Sequence, residues 1–194
     1  MSAELKAPLA LVDDPSPDRF KFAMRDLAGG VSVISAGRGD GRCGLTATSV
    51  SSLSLDPPSL LVCIRRASAT LAAISTNRAF GVNILSANHR DLAERFAGQG
   101  GIWGAARYVD ADWLTLATGA PLLADALAAV DCTVERLIEW HSHAIVIGRV
   151  RAVRTSSGPG PLVYWRGGYE QVSGTGCEVP EDPDSCWLKL IANS

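Results

Sequence analysis

The chain has 194 residues, 47% hydrophobic and 20% charged, with 18 Lys and Arg against 20 Asp and Glu for a net charge of −2. That length suits one domain, able to bury about 70% of its unfolded surface without disulfides, and leaves no room for two separate nucleotide-binding domains. The charge balance argues against a nucleic-acid binder, and the composition is not that of a collagenous, disordered or coiled-coil chain.

Residues 1–17 are polar, with Asp13, Asp14, Pro15 and Pro17, and read as an N-terminal arm. No export signal and no run of about 20 apolar residues occurs, so no membrane association is expected. The cysteines are Cys43, Cys63, Cys132, Cys177 and Cys186, an odd number without a CxxC spacing. They read as reduced thiols of a cytoplasmic protein, with neither a disulfide framework nor a zinc site.

The domain spans residues 18–174. Asp18 is expected to cap a helix that carries Phe20, Met24 and Leu27 at helical spacing and stops at Gly29-Gly30. Val31 to Ser35 reads as a strand, and Gly37 to Gly41 as a hairpin turn. Leu45 to Leu55 is predicted as one long strand, ended by Asp56-Pro57-Pro58. Leu60 to Ile64 reads as a buried strand, Ser68 to Thr76 as a helix capped by Ser68, and Phe80 to Leu85 as a further strand. Asn88 is expected to cap a helix running to Phe96, with Asp91 at the capping-box position. Gln99 to Asp112 has no periodicity. Val130, Cys132 and Val134 then alternate with polar residues, and the alternation resumes from His143 to Val153, which predicts a long hairpin. Leu162–Trp165 and Tyr169–Val172 form a last ribbon around Arg166-Gly167-Gly168. The strands are not regularly separated by helices, so the pattern is mainly β, an antiparallel barrel with short peripheral helices rather than a doubly wound sheet. Residues 175–194 form an acidic C-terminal extension whose apolar end, Trp187 to Ile191, suits docking on a partner subunit.

No dinucleotide-binding GxGxxG, phosphate-binding GxxxxGK[ST] or nucleophile-elbow GxSxG occurs. His141 and His143 share a strand face but lack a third ligand, so no metal is expected. Two stretches carry chemistry. Gly44 to Ser52 is built of small and hydroxylated residues, which lets a flat ligand approach backbone donors. Cys63 to Thr70 brings Arg65, Arg66, Ser68 and Thr70 to a helix N-terminus, a cradle for an anion. Together they describe a site for an aromatic ring carrying a phosphate.

The segments FKFAMRDLAGGVSVIS, GLTATSVSSLSLDPPSLLVCIRRASAT, FGVNILS, LAERFAG, the Asp131-Cys132 strand, HAIVIGRV and LVYWRGGY occur in order from Phe20 to about Val172. In this ordered set the chain resembles the short-chain flavin reductases, whose FMN-binding split barrel serves two-component flavin monooxygenases. The resemblance implies a homodimeric split β-barrel that binds FMN or FAD and reduces it with NADH or NADPH. The reduced flavin would then diffuse to a partner monooxygenase. Thr46, Ala47, Thr48 and Ser49 would line the isoalloxazine, with Cys63, Ile64 and Arg65 on the next strand. Ser68 and Thr70 would hold the phosphate with Arg65 or Arg66; Asn83 and either Arg90 or Arg95 would join that side, and Tyr169 would pack near the cofactor. The family typically carries Gly-Asp-His where this chain has His141-Ser142-His143. His143 is thereby the residue expected to position the hydride donor. The changed tripeptide keeps two alternatives open on the same fold: a non-catalytic flavin binder, and a flavin-dependent reductase of another acceptor such as a corrinoid.

Overall fold

A computed structural model describes residues 16–172. Cys177, Cys186 and the Trp187–Ile191 end lie outside the described residues, as does the arm up to residue 15. The first helix, α1 (Pro17–Met24), is capped by Ser16 rather than Asp18, its hydroxyl accepting from the Arg19 amide at 3.4 Å. Pro17 explains the shift: it lacks an N–H and starts a helix well, so the capping oxygen must precede it. α1 buries none of its residues, and Phe20, Phe22, Met24 and Leu27 stay exposed. The helix ends at Met24 with Arg25 as its C-cap, short of Leu27 and of the stop expected at Gly29-Gly30; that pair has another role. It forms β1 (Gly29–Gly30), which pairs with β11 (Leu162–Trp165), itself paired with β12 (Gly168–Gln171).

The main sheet contains β2 (Ser32–Ala36), β3 (Cys43–Ala47), β4 (Val50–Leu55), β5 (Pro58–Arg65), β6 (Ala79–Ile84), β9 (Ala128–Trp140) and β10 (His143–Thr155). Its order is β3-β2-β6-β9-β10-β5-β4, and every neighbouring pair is antiparallel. The predicted single strand from Leu45 to Leu55 is thus two strands, broken at Thr48-Ser49, that occupy opposite edges of the sheet. Ala47 and Val50 are three residue steps apart, at most about 11 Å. The edges of a flat sheet of seven strands would stand about 29 Å apart. The sheet must therefore curl nearly onto itself, leaving an open seam where β3 passes into β4. It is a split barrel, not closed by hydrogen bonds.

Two apolar clusters hold it. Ile34, Val62, Ile64, Phe80, Val82, Cys132 and Val146 fill the inside. Val31, Val33, Leu85, Phe96, Tyr108, Leu122 and Leu123 form a second layer outside. β2 and β6 lie between the layers, so every residue of β2 is buried. The outer layer includes α3 (Arg90–Phe96) and a hairpin of β7 (Trp113–Thr115) and β8 (Pro121–Leu123), which the sequence pattern did not reveal. The chain enters α3 through a 3-10 turn, Ala87–His89, capped by Ser86 and not by Asn88; the Ser86 and His89 side chains satisfy the capping box reciprocally. α2 (Ala69–Asn77) begins as predicted, with the Thr70 amide donating to the Ser68 hydroxyl at 3.1 Å.

Candidate functional site

The seam opens into a groove of about 750 Å³. β3 and the Thr48-Ser49 junction form one wall, and Cys63, Ile64 and Arg65 of β5 form the next. Ser68, Ala69 and Thr70 close one end at the start of α2, and His143 reaches it from β10. Phe96, Gly98, Trp103 and Arg107 form the far wall. An adjoining groove of about 440 Å³ shares Thr46, Ala47 and Thr48 and runs on to Tyr164 and Tyr169.

β3 is an edge strand, so its amides that do not face β2 are open to a ligand. Ala47 keeps the wall low, and Gly44 lets α3 approach, since a Cβ there would sit 2.7 Å from the Phe96 ring. Two of the predicted hydroxyls are already engaged. Thr46 Oγ1 donates to Ala93 O at 2.6 Å, fastening α3, and Ser49 Oγ donates to Cys63 O at 2.9 Å, setting the width of the seam. The Ile64 side chain points into the inner core, so only its backbone is left for the groove. Cys43 also lines the groove. Burial pushes its thiol up, against the lowering effects of the Thr70 hydroxyl and the Arg107 guanidinium, so it is a poor thiolate at neutral pH.

His143 pairs in register with Arg65, and its Nδ1 lies 2.9 Å from Ser142 Oγ. The hairpin tip is pinned by Arg66, which pairs with Glu139 at 2.7 Å and donates to His141 O at 3.2 Å. Arg66 is therefore turned to the hairpin instead of the anion cradle. His141 adopts φ 47°, the left-handed conformation for which glycine is suited. His141→Gly should raise stability by about 0.5–1 kcal/mol, through relief of that conformation, read as a small rise in melting temperature. A fall would mean that the edge-on stack of His141 on Trp140 outweighs the relief.

Tyr169 stands in the adjoining groove, edge-on to Tyr164 at 5.2 Å. Burial raises its phenol pKa, as do Glu94 and Tyr164, while Arg90 acts in the opposite direction. Arg90 lines this adjoining groove and is bonded to Glu94 at 3.1 Å. Two predicted residues do not join the site. Asn83 is fully buried, its amide bonded to Val33 O, Ser35 Oγ and the Leu123 amide. Arg95 turns to Val109 O and Asp110. Neither lines either groove. The sequence reading overlooked Phe96, Trp103 and Arg107, because Trp103 and Arg107 lie in the aperiodic stretch where nothing marks a binding wall.

The family profile described as "Flavin reductase like domain" matches residues 24–173. An FMN reductase (NADH) RutF of Bradyrhizobium diazoefficiens is 35% identical over 164 residues, covering 84% of this chain and 90% of the relative. BorF, the flavin reductase component of a bacterial two-component tryptophan halogenase, superposes with a TM-score of 0.75 at 29% identity, over 82% of this chain and 99% of BorF. The NADH:FAD oxidoreductase SgcE6 of Streptomyces globisporus, in complex with NAD and FAD fragments, superposes with a TM-score of 0.76 at 26% identity, over 87% and 100% of the two chains. With its seam groove, and with the profile matched across the whole described barrel from residue 24, the chain belongs to the flavin reductase-like domain family.

Proposed function

We propose that this protein is an NAD(P)H:flavin oxidoreductase that reduces FMN or FAD, with NADH as the first donor to try, and releases the reduced flavin to a partner monooxygenase. The observation that carries this reading is the pair of grooves meeting at Thr46, Ala47 and Thr48. A reaction between two flat rings needs two ligands to reach one another over a common wall, and orientation at near-attack distance lowers the barrier by several kcal/mol, roughly 7 in favourable cases. The likeness to an NADH-dependent FMN reductase supports the choice of substrates.

The residues fit a flavin. Open amides of β3 suit the polar edge of the ring system, Ala47 admits its face, and the capped start of α2 with Ser68 and Thr70 suits a phosphate. When bound, the flavin supplies the electron-accepting centre and the nicotinamide the hydride, so the protein need supply no general acid. The Ser49–Cys63 bond fixes the wall spacing, and amides of the edge strand β3 would donate to the ring edge of a bound flavin, where negative charge develops. His143, an exposed residue of the groove lining, orients the donor. The groove opens to solvent along the seam, which suits a flavin that leaves as product. We also infer a homodimer: Phe20 and Met24, one turn apart on α1, and Leu27 just beyond its end are exposed apolar side chains that need a cover. Sedimentation at micromolar concentration should give twice the chain mass.

Steady-state NADH oxidation with added FMN is the direct test. Many turnovers per protein, and none without flavin, are expected. No turnover with either flavin and either nicotinamide would overturn the reading. His143→Ala should lower the rate of reduction by NADH about 10-fold, the scale of losing one orienting contact, while FMN affinity stays within a few-fold. An unchanged rate would remove His143 from the site.

A further inference from the structure

A further cleft, of about 570 Å³, lies between the turn of residues 37–42, which joins β2 to β3, and the β7–β8 hairpin. It shares no lining residue with either groove of the seam. Its charge is one-sided. Arg38, exposed, and Arg42, half-buried, both line it, and no carboxylate does. Arg38 Nη2 donates to Thr118 O at 2.8 Å, and Arg42 Nε donates to Gly39 O at 3.0 Å. Among the described residues, the remaining N–H groups of both guanidiniums have no acceptor, and neither arginine is in an ion pair. Trp113, a third lining residue, leaves one more donor over: its indole N–H is shielded from solvent and has no acceptor among the described residues. Leu114, Leu116 and Pro121 add apolar surface.

The cleft is held in shape by bonds outside it. The Thr118 amide donates to Asp131 Oδ2 at 2.8 Å, and the Thr118 hydroxyl donates to Asp131 Oδ1. Asp131 is fully buried, so the tip of the β7–β8 hairpin is anchored to β9. Arg38 then ties the same Thr118 to the turn. The Arg42 guanidinium lies 4.9 Å from the centre of the Tyr108 ring, and Trp113 packs on that ring at 4.6 Å. Guanidiniums held in this way lose little freedom when they meet a ligand. Unpaired guanidiniums beside apolar surface recognise an anion with an apolar body, and the arginine fork matches a carboxylate. We propose that this cleft is a second ligand site, which binds a small aromatic carboxylate between Arg38, Arg42 and the apolar side chains of the β7–β8 hairpin. The site does not depend on the flavin reading.

The probe is 4-fluorobenzoate, followed through its fluorine resonance at constant ionic strength. Wild-type protein should bind it with a Kd of about 1 mM or tighter, within reach of so small a ligand. The uncharged 4-fluorobenzamide should bind about 10-fold more weakly or worse. Arg38→Met and Arg42→Met should each weaken the acid about 10-fold, the scale of one lost charged hydrogen bond. Should Arg42→Met not fold, Leu116→Glu decides: it adds a like charge at a partly exposed position and should abolish binding of the acid. Saturating FMN should leave the Kd of the acid within twofold. No binding by wild type, equal binding of acid and amide, or an unchanged Kd in the folded variants would overturn the proposal. Displacement of the acid by FMN would place it in the seam groove and overturn it as well.

Discussion

Asn83→Ala should lower stability by about 3–5 kcal/mol, since each buried group left without its partner costs roughly 1–3 kcal/mol. Asn83 is the polar pin between the two layers of the fold. Its Nδ2 donates to Val33 O at 2.9 Å and Ser35 Oγ at 3.0 Å, and its Oδ1 accepts from the Leu123 amide at 2.7 Å. β6, β2 and β8 meet at this one side chain, which is fully buried. Ser35 is itself bonded to Pro121 O, so the change also disturbs the seat of the β7–β8 hairpin. Against a typical total of about 5–15 kcal/mol the loss is large, and the melting temperature should fall by roughly 10–15 °C. The protein that stays folded should bind FMN within threefold of wild type. A weakened FMN affinity with an unchanged melting temperature would return Asn83 to the phosphate side, where the resemblance had placed it.

Ser68→Ala combined with Thr70→Ala should weaken FMN about 100-fold, because two hydroxyls at a helix N-terminus each offer a charge-assisted bond to a phosphate. Riboflavin should be affected about threefold or less, since it lacks the charge that those bonds recognise. The double variant also loses the cap of α2, the Ser68 hydroxyl that accepts from the Thr70 amide. That loss costs about 1 kcal/mol, so a modest fall in melting temperature accompanies the binding defect. Fluorescence titration with both flavins separates the two effects: parallel losses would trace the defect to an unravelled helix start, and a loss confined to FMN to the phosphate.

Most elements were legible because their signals are local. Ser68 precedes α2 and caps it, the alternation around Cys132 and after His143 marks β9 and β10, and Arg166-Gly167 turns β11 into β12. The β7–β8 hairpin was not legible, since strands of three residues are too short to show alternation. That Asn83 and Arg95 line neither groove was hidden for a different reason. A polar residue near a predicted site looks the same in sequence whether it serves a ligand or a buried carbonyl, and here Asn83 serves Val33 O and Arg95 serves Val109 O.

By itself the sequence determined an antiparallel mainly-β domain, a low wall of small residues at Thr46 to Ser49, and a capped helix start at Ser68. Each follows from the chemistry of a few consecutive residues. Only the tertiary structure decided that Thr48-Ser49 joins the two edges of one sheet, which opens the seam and so creates the groove. It also decided that Arg107, over 60 residues from Gly44 in the chain, supplies the buried charge on the far wall. A long side chain takes its partners from whichever carbonyls the fold brings near, and periodicity carries no record of that choice.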